Sequence, residues 1–349
     1  DSISRMLRAS SLLLLCVLTA QCAVHFKRSM LIDQYDLDGV TEFKAMKVCD
    51  YGCHVWASIP PGTEDSAKNI HIDDEFFFNL AETATMYDHA TLEKQPMFID
   101  SNDAVSIYNF NPNQTTTPFI IYIVSTRATD LNTAEIYDAH NINRMIFPAK
   151  QITIMSAAPF TVNSNKAEGG NSVVVRTTGF DDVEDNNKDK CFQMMAVGDK
   201  SNWPGFNIEV SSPLLSMAFD YKNYPDAYLH LDVTMGNSGV LDLTRPGFVS
   251  SPGYIGCSNG DVFRSSLYSS NVATSITASG NRHVYLNGDI HTDRAHQIDI
   301  IDLKTNMNYP MYGGSAAQSQ ELFTTGVSIN WKGEGTNNSF AIRFSSVAV

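Results

Sequence analysis

A serine between glycines, Gly236-Asn237-Ser238-Gly239, is the stretch of this chain most like a nucleophile loop. Nucleophilic catalysis would need a histidine to take the serine proton and a carboxylate to orient that histidine. His89 and His140 each follow a tyrosine and an aspartate, in Tyr-Asp-His-Ala and Tyr-Asp-Ala-His. Neither phrase is an established base setting, and a glycine-rich turn explains the loop more simply. Ser238 is therefore expected to have no catalytic role. Hard cations favour clustered carboxylate oxygens, and Asp181, Asp182, Glu184, Asp185 and Asp189 supply them in one loop. The EF-hand order breaks there, with Lys190 where glycine is required, so the loop reads as a solvated surface. The nine histidines include no His-Glu-x-x-His, and the spacing of His291 and His296 has no standard ligand meaning. The expectation is no catalytic residue, no metal and no cofactor. For ligand contact the turn Asn202-Trp203-Pro204-Gly205, with Tyr221 and Tyr224 after it, offers aromatic rings with polar tips.

Those residues need a frame, and the composition points to β structure. The chain has 349 residues, 43% of them hydrophobic and only 18% charged. Short apolar runs rich in Val, Ile, Thr and Tyr recur between turn residues. His54–Ile59, Ile70–Phe78, Ala104–Phe110, Phe119–Ser125, Glu135–Ala139, Met145–Phe147 and Gln151–Ser156 each fit a strand. Val173–Val175, Cys191–Val197, Phe206–Val210, Leu214–Phe219 and Tyr228–Val233 continue the series. The one helix-like candidate is Asn79–Leu92. Many short strands at this spacing predict an all-β fold of two jelly-roll-like sandwiches. The predicted organisation is a signal at 1–22, a β-rich sandwich at 23–235 and a second sandwich at 236–349.

The signal rests on Arg5 and Arg8, the apolar run Leu12–Leu18 and the small residues before Ala23. That run is shorter than the roughly 20 apolar residues of a membrane-spanning helix. Cleavage would remove Asp1, Arg5 and Arg8. The formal charge of −14 then becomes −15, from 22 basic against 37 acidic residues. Such a balance argues against nucleic acid, heparin or anionic membrane as partner. Cys16 and Cys22 would leave with the signal. Cys49, Cys53, Cys191 and Cys257 remain, and four cysteines allow three pairings. The expected bridges are Cys49–Cys53 and Cys191–Cys257. A four-thiolate metal site would show paired Cys-x-x-Cys knuckles, which the spacing lacks. Asn113-Gln114-Thr115 and Asn337-Asn338-Ser339 are intact sequons, so Asn113 and Asn337 are candidate glycosylation sites.

The C-terminal third carries a family resemblance. Gly247-Phe248-Val249-Ser250-Ser251-Pro252-Gly253-Tyr254 resembles the opening of a CUB domain. Arg282–Gly288, Ala295–Leu303 and Tyr309–Gly314 follow in the family's order. Val327–Trp331 and Ser339–Phe344 resemble its closing hairpin. The departures are specific. Cys257 is the only cysteine in this region, where the family has two disulfides. Asp299 could match one calcium-binding acid, but Lys332-Gly333-Glu334 stands where the closing-loop aspartate would be. With these departures the pattern more resembles the divergent CUB-like proteins secreted by nematodes than the calcium-binding members. That resemblance implies a secreted, non-enzymatic binding or structural glycoprotein with a lumenal or innate-defence role. Its partner would be an extracellular protein, a glycan or a second copy of itself. A carbohydrate-binding jelly roll and an extracellular hydrolase are the alternatives.

Overall fold

The computed structural model describes residues 24–349 apart from segments 26–28, 47–48, 50–51, 73–77, 101–103, 115–117, 127–133, 149–150, 169–171, 178–193, 198–202, 220–227, 237–238, 253, 255–270, 292–296, 314–317 and 333–337. The fold is an all-β arrangement of stacked, mainly antiparallel sheets.

The N-terminal strands form two sheets over one core. Val24–His25, Ser29–Asp33, Ile120–Ser125, Cys53–Ser58 and Met97–Ile99 make one, in that order. Glu42–Met46, Ala104–Asn109, Ile70–Ile72 and Phe78–Asn79 make the other. Ile32, Val55, Ile121 and Ile123 meet Phe43, Ile72, Val105 and Ile107 between them. The opposite face of the first sheet is buried too, through Leu31, Trp56 and Tyr122. A strand covered on both sides must be apolar at every position, which is why Phe119–Val124 shows no alternation.

The expected helix over Asn79–Leu92 is only Leu80–Ala84. Asn79 and Glu82 form a capping box that starts it. It closes on Thr85, whose amide bonds back to the Ala81 and Glu82 carbonyls, and further on Asp88 accepts hydrogen bonds from the amides of Ala90 and Thr91 in a separate turn. The expected strand Ile70–Phe78 is likewise divided: Ile70–Ile72 and Phe78–Asn79 pair antiparallel with each other.

A second core lies between two further layers. Ala134–Asp138, Gln151–Met155, Leu214–Phe219, Ser172–Arg176 and Met194–Val197 form one sheet. Arg144–Pro148, Tyr228–Met235, Phe160–Glu168 and Phe206–Val210 form the other. Ile152, Ile154, Val173, Val175, Phe160 and Ile208 fill the space between.

The sheet does not stop at residue 235. Phe206–Val210 pairs in parallel with Gly247–Ser250, which pairs antiparallel with Ser339–Ala348. Next come Asn271–His291, Gln318–Lys332, Gln297–Asp302 and Met311–Tyr312. Two side-chain links reinforce the crossing. Asn207 donates to the Asp242 carbonyl at 3.2 Å and accepts from its amide at 2.6 Å. Glu209, 0% exposed, accepts from the Thr274 hydroxyl at 2.6 Å. Its second oxygen meets no hydrogen-bond partner among the described residues. Burial pushes the Glu209 carboxyl upward, outweighing the hydrogen bond from Thr274.

The third core is wrapped by two long strands. Asn271–His291 has 21 residues and would extend about 70 Å if straight, at about 3.3 Å per residue. It turns instead, with a register shift between Thr277 and Arg282. Val272 and Ile276 before the shift, and Val284, Leu286 and Ile290 after it, enter the same core. At the corner a Cβ on Gly326 would lie 2.8 Å from the Ile276 carbonyl, so only glycine lets the strands approach. Val327–Trp331 and Ser339–Phe344, expected as a closing hairpin, lie within Gln318–Lys332 and Ser339–Ala348, which flank the long strand and pair with it from either side.

Candidate binding face

After the shift, the long strand alternates cleanly. Val284, Leu286 and Ile290 point into the core, so His283, Tyr285, Asn287, Asp289 and His291 point outward. Register sets their neighbours: Val347 and Phe323 beside His283, Ser345 and Glu321 beside Tyr285, and Arg343 and Ser319 beside Asn287. Tyr285 is 43% exposed, Phe323 45% and Val347 58%. The His283 and Phe323 rings lie 5.2 Å apart, and the Lys304 ammonium sits 4.6 Å from the Phe323 ring centre. His283 Nδ1 is 3.6 Å from Glu321 Oε1. Around Tyr285 the face forms a groove of about 530 Å³, walled by Pro246, Asn287, Glu321, Arg343 and Ser345.

The Ser-Pro-Gly-Tyr turn covers the far end of this face. Tyr254 is fully buried, and its hydroxyl donates to Asp289 Oδ2 at 2.6 Å. His291 Nε2 reaches the same oxygen at 3.3 Å. The Tyr254 carbonyl accepts from Ser212 of the second core's layers at 2.6 Å. Ser251 exchanges backbone and side-chain hydrogen bonds with Phe340. The turn thus fixes the third core's outer layer to its neighbour. Burial would raise the Asp289 carboxyl, but the hydrogen bonds from His291 and Tyr254 prevail and hold it below the usual range. The same hydrogen bond raises the His291 imidazole.

A second titratable cluster is sealed. Lys94 donates to the Ala84 carbonyl at 2.7 Å and to Asp138 Oδ2 at 3.4 Å. Asp138 Oδ1 takes the His140 amide at 3.0 Å and faces His140 Nδ1 at 2.8 Å. Side-chain exposures of 0%, 3% and 6% for Lys94, Asp138 and His140 keep substrate and water away. The Trp56 indole donates to the Lys94 carbonyl, and the Lys94 amide to the Ile136 carbonyl. The cluster joins the first core to the second. Burial lowers the Lys94 ammonium, with Asp138 opposing. Burial would raise Asp138, but His140 and Lys94 hold it low.

The expected site residues are scattered. Cys49 and Cys53 are joined, with Cα atoms 5.2 Å apart. Gly52 between them has φ +104°, and a Cβ there would strike the Phe98 ring. Cys191 and Cys257 lie outside the described residues, as do Tyr221, Tyr224, Ser238, His296, Asn337 and the acidic loop. Asn113 is exposed in the turn Pro112–Gln114. Trp203 is half-buried against the second core, its indole donating to Ser164 at 3.4 Å. His89 stacks edge-on against Tyr87. Asp299 accepts from the side-chain amides of Gln297 and Asn308, both at 2.7 Å. Among the described residues no three His, Cys, Asp or Glu converge on a metal position. Tyr285 was missed: the alternation of 283–287 marks a strand but not which of its faces is exposed. The Lys94 cluster left none, because 44 residues separate Lys94 from Asp138.

No family model matches this chain, and no curated protein matches it. A weak structural neighbour is the CUB1-EGF-CUB2 region of human MASP-1/3, with TM-score 0.24 and 13% identity over 58% of this chain and 93% of that one. The Sulfolobus turreted icosahedral virus structure gives TM-score 0.18 and 10% identity over 93% and 85%. Likeness at these values carries no functional argument. No helix among the described residues is long and apolar enough to cross a membrane.

Proposed function

We propose that this chain is a secreted, non-enzymatic binding glycoprotein that takes its ligand on the outer face of Asn271–His291 and its two flanking strands. The observation that supports this most directly is Tyr285. Its ring stands out from the central strand, over a groove, on a sheet whose other side is fully packed. A rigid platform with an exposed ring loses little conformational entropy on binding. The Lys94–Asp138–His140 cluster is closed to substrate and serves the packing of two layers.

A photo-crosslinking amino acid at position 285 tests this in the full chain incubated with extracellular fluid. The expected result is a discrete crosslinked species that unlabelled wild type competes away and Tyr285→Ala does not. A crosslinker at exposed Ile146, on a different layer, serves as control. Identical products from positions 285 and 146 would refute the reading. Intact-mass analysis of the mature protein tests secretion; retention of Leu12–Leu18 would refute cleavage near Ala23.

A further inference from the structure

We infer that the Tyr285 groove takes a neutral oligosaccharide. This rests on the binding reading above and narrows its ligand to one chemical class. The first support is topological. The strand under the groove is paired on both sides, with Gln318–Lys332 and Ser339–Ala348, so its amides and carbonyls are already used. A peptide cannot add here as another strand, and recognition falls to side chains alone. The second support is the side-chain set. A sugar ring presents a face of C–H groups and a rim of hydroxyls. Tyr285 offers an exposed aromatic surface for the first. Asn287, Glu321 and Arg343 offer planar donors and acceptors for the second, with Ser319 and Ser345 between them.

Size and charge narrow the choice further. About 530 Å³ lies within the range of small-ligand sites, about 300–1,000 Å³. A helix laid in a groove needs an extended apolar stripe, whereas here the apolar surface is interrupted by Asn287, Glu321 and Arg343. The lining holds one carboxylate and one guanidinium, which balance, and the chain as a whole carries −14. That field disfavours sulphated or otherwise anionic polymers.

The test uses the full chain on an array of short β-glucan, chitin and mannan oligosaccharides beside sialylated and sulphated glycans, followed by calorimetry with the best neutral one. Binding to one neutral series is expected. Tyr285→Ala should weaken it tenfold or more and Glu321→Gln by several-fold, while Tyr285→Phe, which keeps the ring, should stay within about twofold. Both positions are at the surface, and circular dichroism verifies the fold of each variant. The inference falls if no neutral glycan binds, if anionic glycans bind best, or if Tyr285→Ala leaves binding unchanged. A blank array with a specific crosslink from position 285 overturns the sugar and keeps the binding face. A blank array with no specific crosslink overturns both.

Discussion

The seam between the first and second cores and the seam between the second and third join similar β layers by different means. At the first, two sheets meet face to face through Trp56, Tyr122, Met155 and Leu214, and a buried lysine crosses to a buried carboxylate. At the second, a backbone ladder runs through Phe206–Val210 and Gly247–Ser250, and the side chains beside it are mostly neutral. A buried ion pair holds strongly only while both partners are present. A ladder spreads its support over many bonds, each worth about 1 kcal/mol. The first seam should therefore fail at one residue, and the second should weaken by degrees.

Lys94→Met is the sharpest way to break this contrast. It leaves Asp138 buried without its cation and should cost about 3–5 kcal/mol, read as a lower urea midpoint. Adding Asp138→Asn should recover much of that loss. A single-variant cost near zero would remove the distinction between the seams.

Asn207→Ala comes next. It deletes two hydrogen bonds to Asp242 and should cost about 2 kcal/mol in the same measurement. A loss as large as that of Lys94→Met would mean that the second seam also hangs on one residue.

Glu209→Gln should act in the opposite direction. The glutamine keeps an acceptor for Thr274 and removes a buried charge, so stability at pH 7 should rise by about 1–2 kcal/mol. The wild-type carboxyl is raised in the folded state, so unfolding releases a proton in the window above pH 4.5. This group's contribution is best in acid and declines as pH rises from 4.5 to its folded value. Urea midpoints at pH 4.5 and 7.5 should differ less in the variant than in the wild type, once the other titrating groups are held common. An unchanged difference would show that Glu209 does not titrate across folding.

Tyr254→Phe is the mildest probe. It removes the hydroxyl from Asp289 but keeps the ring and the Ser212 contact, and should cost about 1 kcal/mol in thermal unfolding. A cost above that of Asn207→Ala would make this turn, and not the ladder, the main hold of the second seam.

Much of the strand content was legible because period and turn chemistry are local. Phe206–Val210 and Leu214–Phe219 are strands with the expected ends, and Tyr228–Val233 runs two residues further. The helix was overread because Asn79–Leu92 lacks breakers, while the turn that Asp88 holds at residues 88–91 is not visible as a pattern. Lys94 in Glu-Lys-Gln resembles a solvated loop, and only the approach of a strand 44 residues later buries it. Aromatic rings near turn residues drew attention to Trp203, which packs inward. Tyr285 was passed over because an exposed ring on a strand looks the same, in sequence, as a buried one.

The ladder through Gly247–Ser250 also bears on any fragment of this protein. A piece starting at Gly236 would keep the third core but lose Phe206–Val210, baring a row of amides and carbonyls together with Phe248, which now lies in the second core. Such an edge is a template for any foreign strand and invites chain-to-chain stacking. The second core thus serves its neighbour as a permanent cap against aggregation.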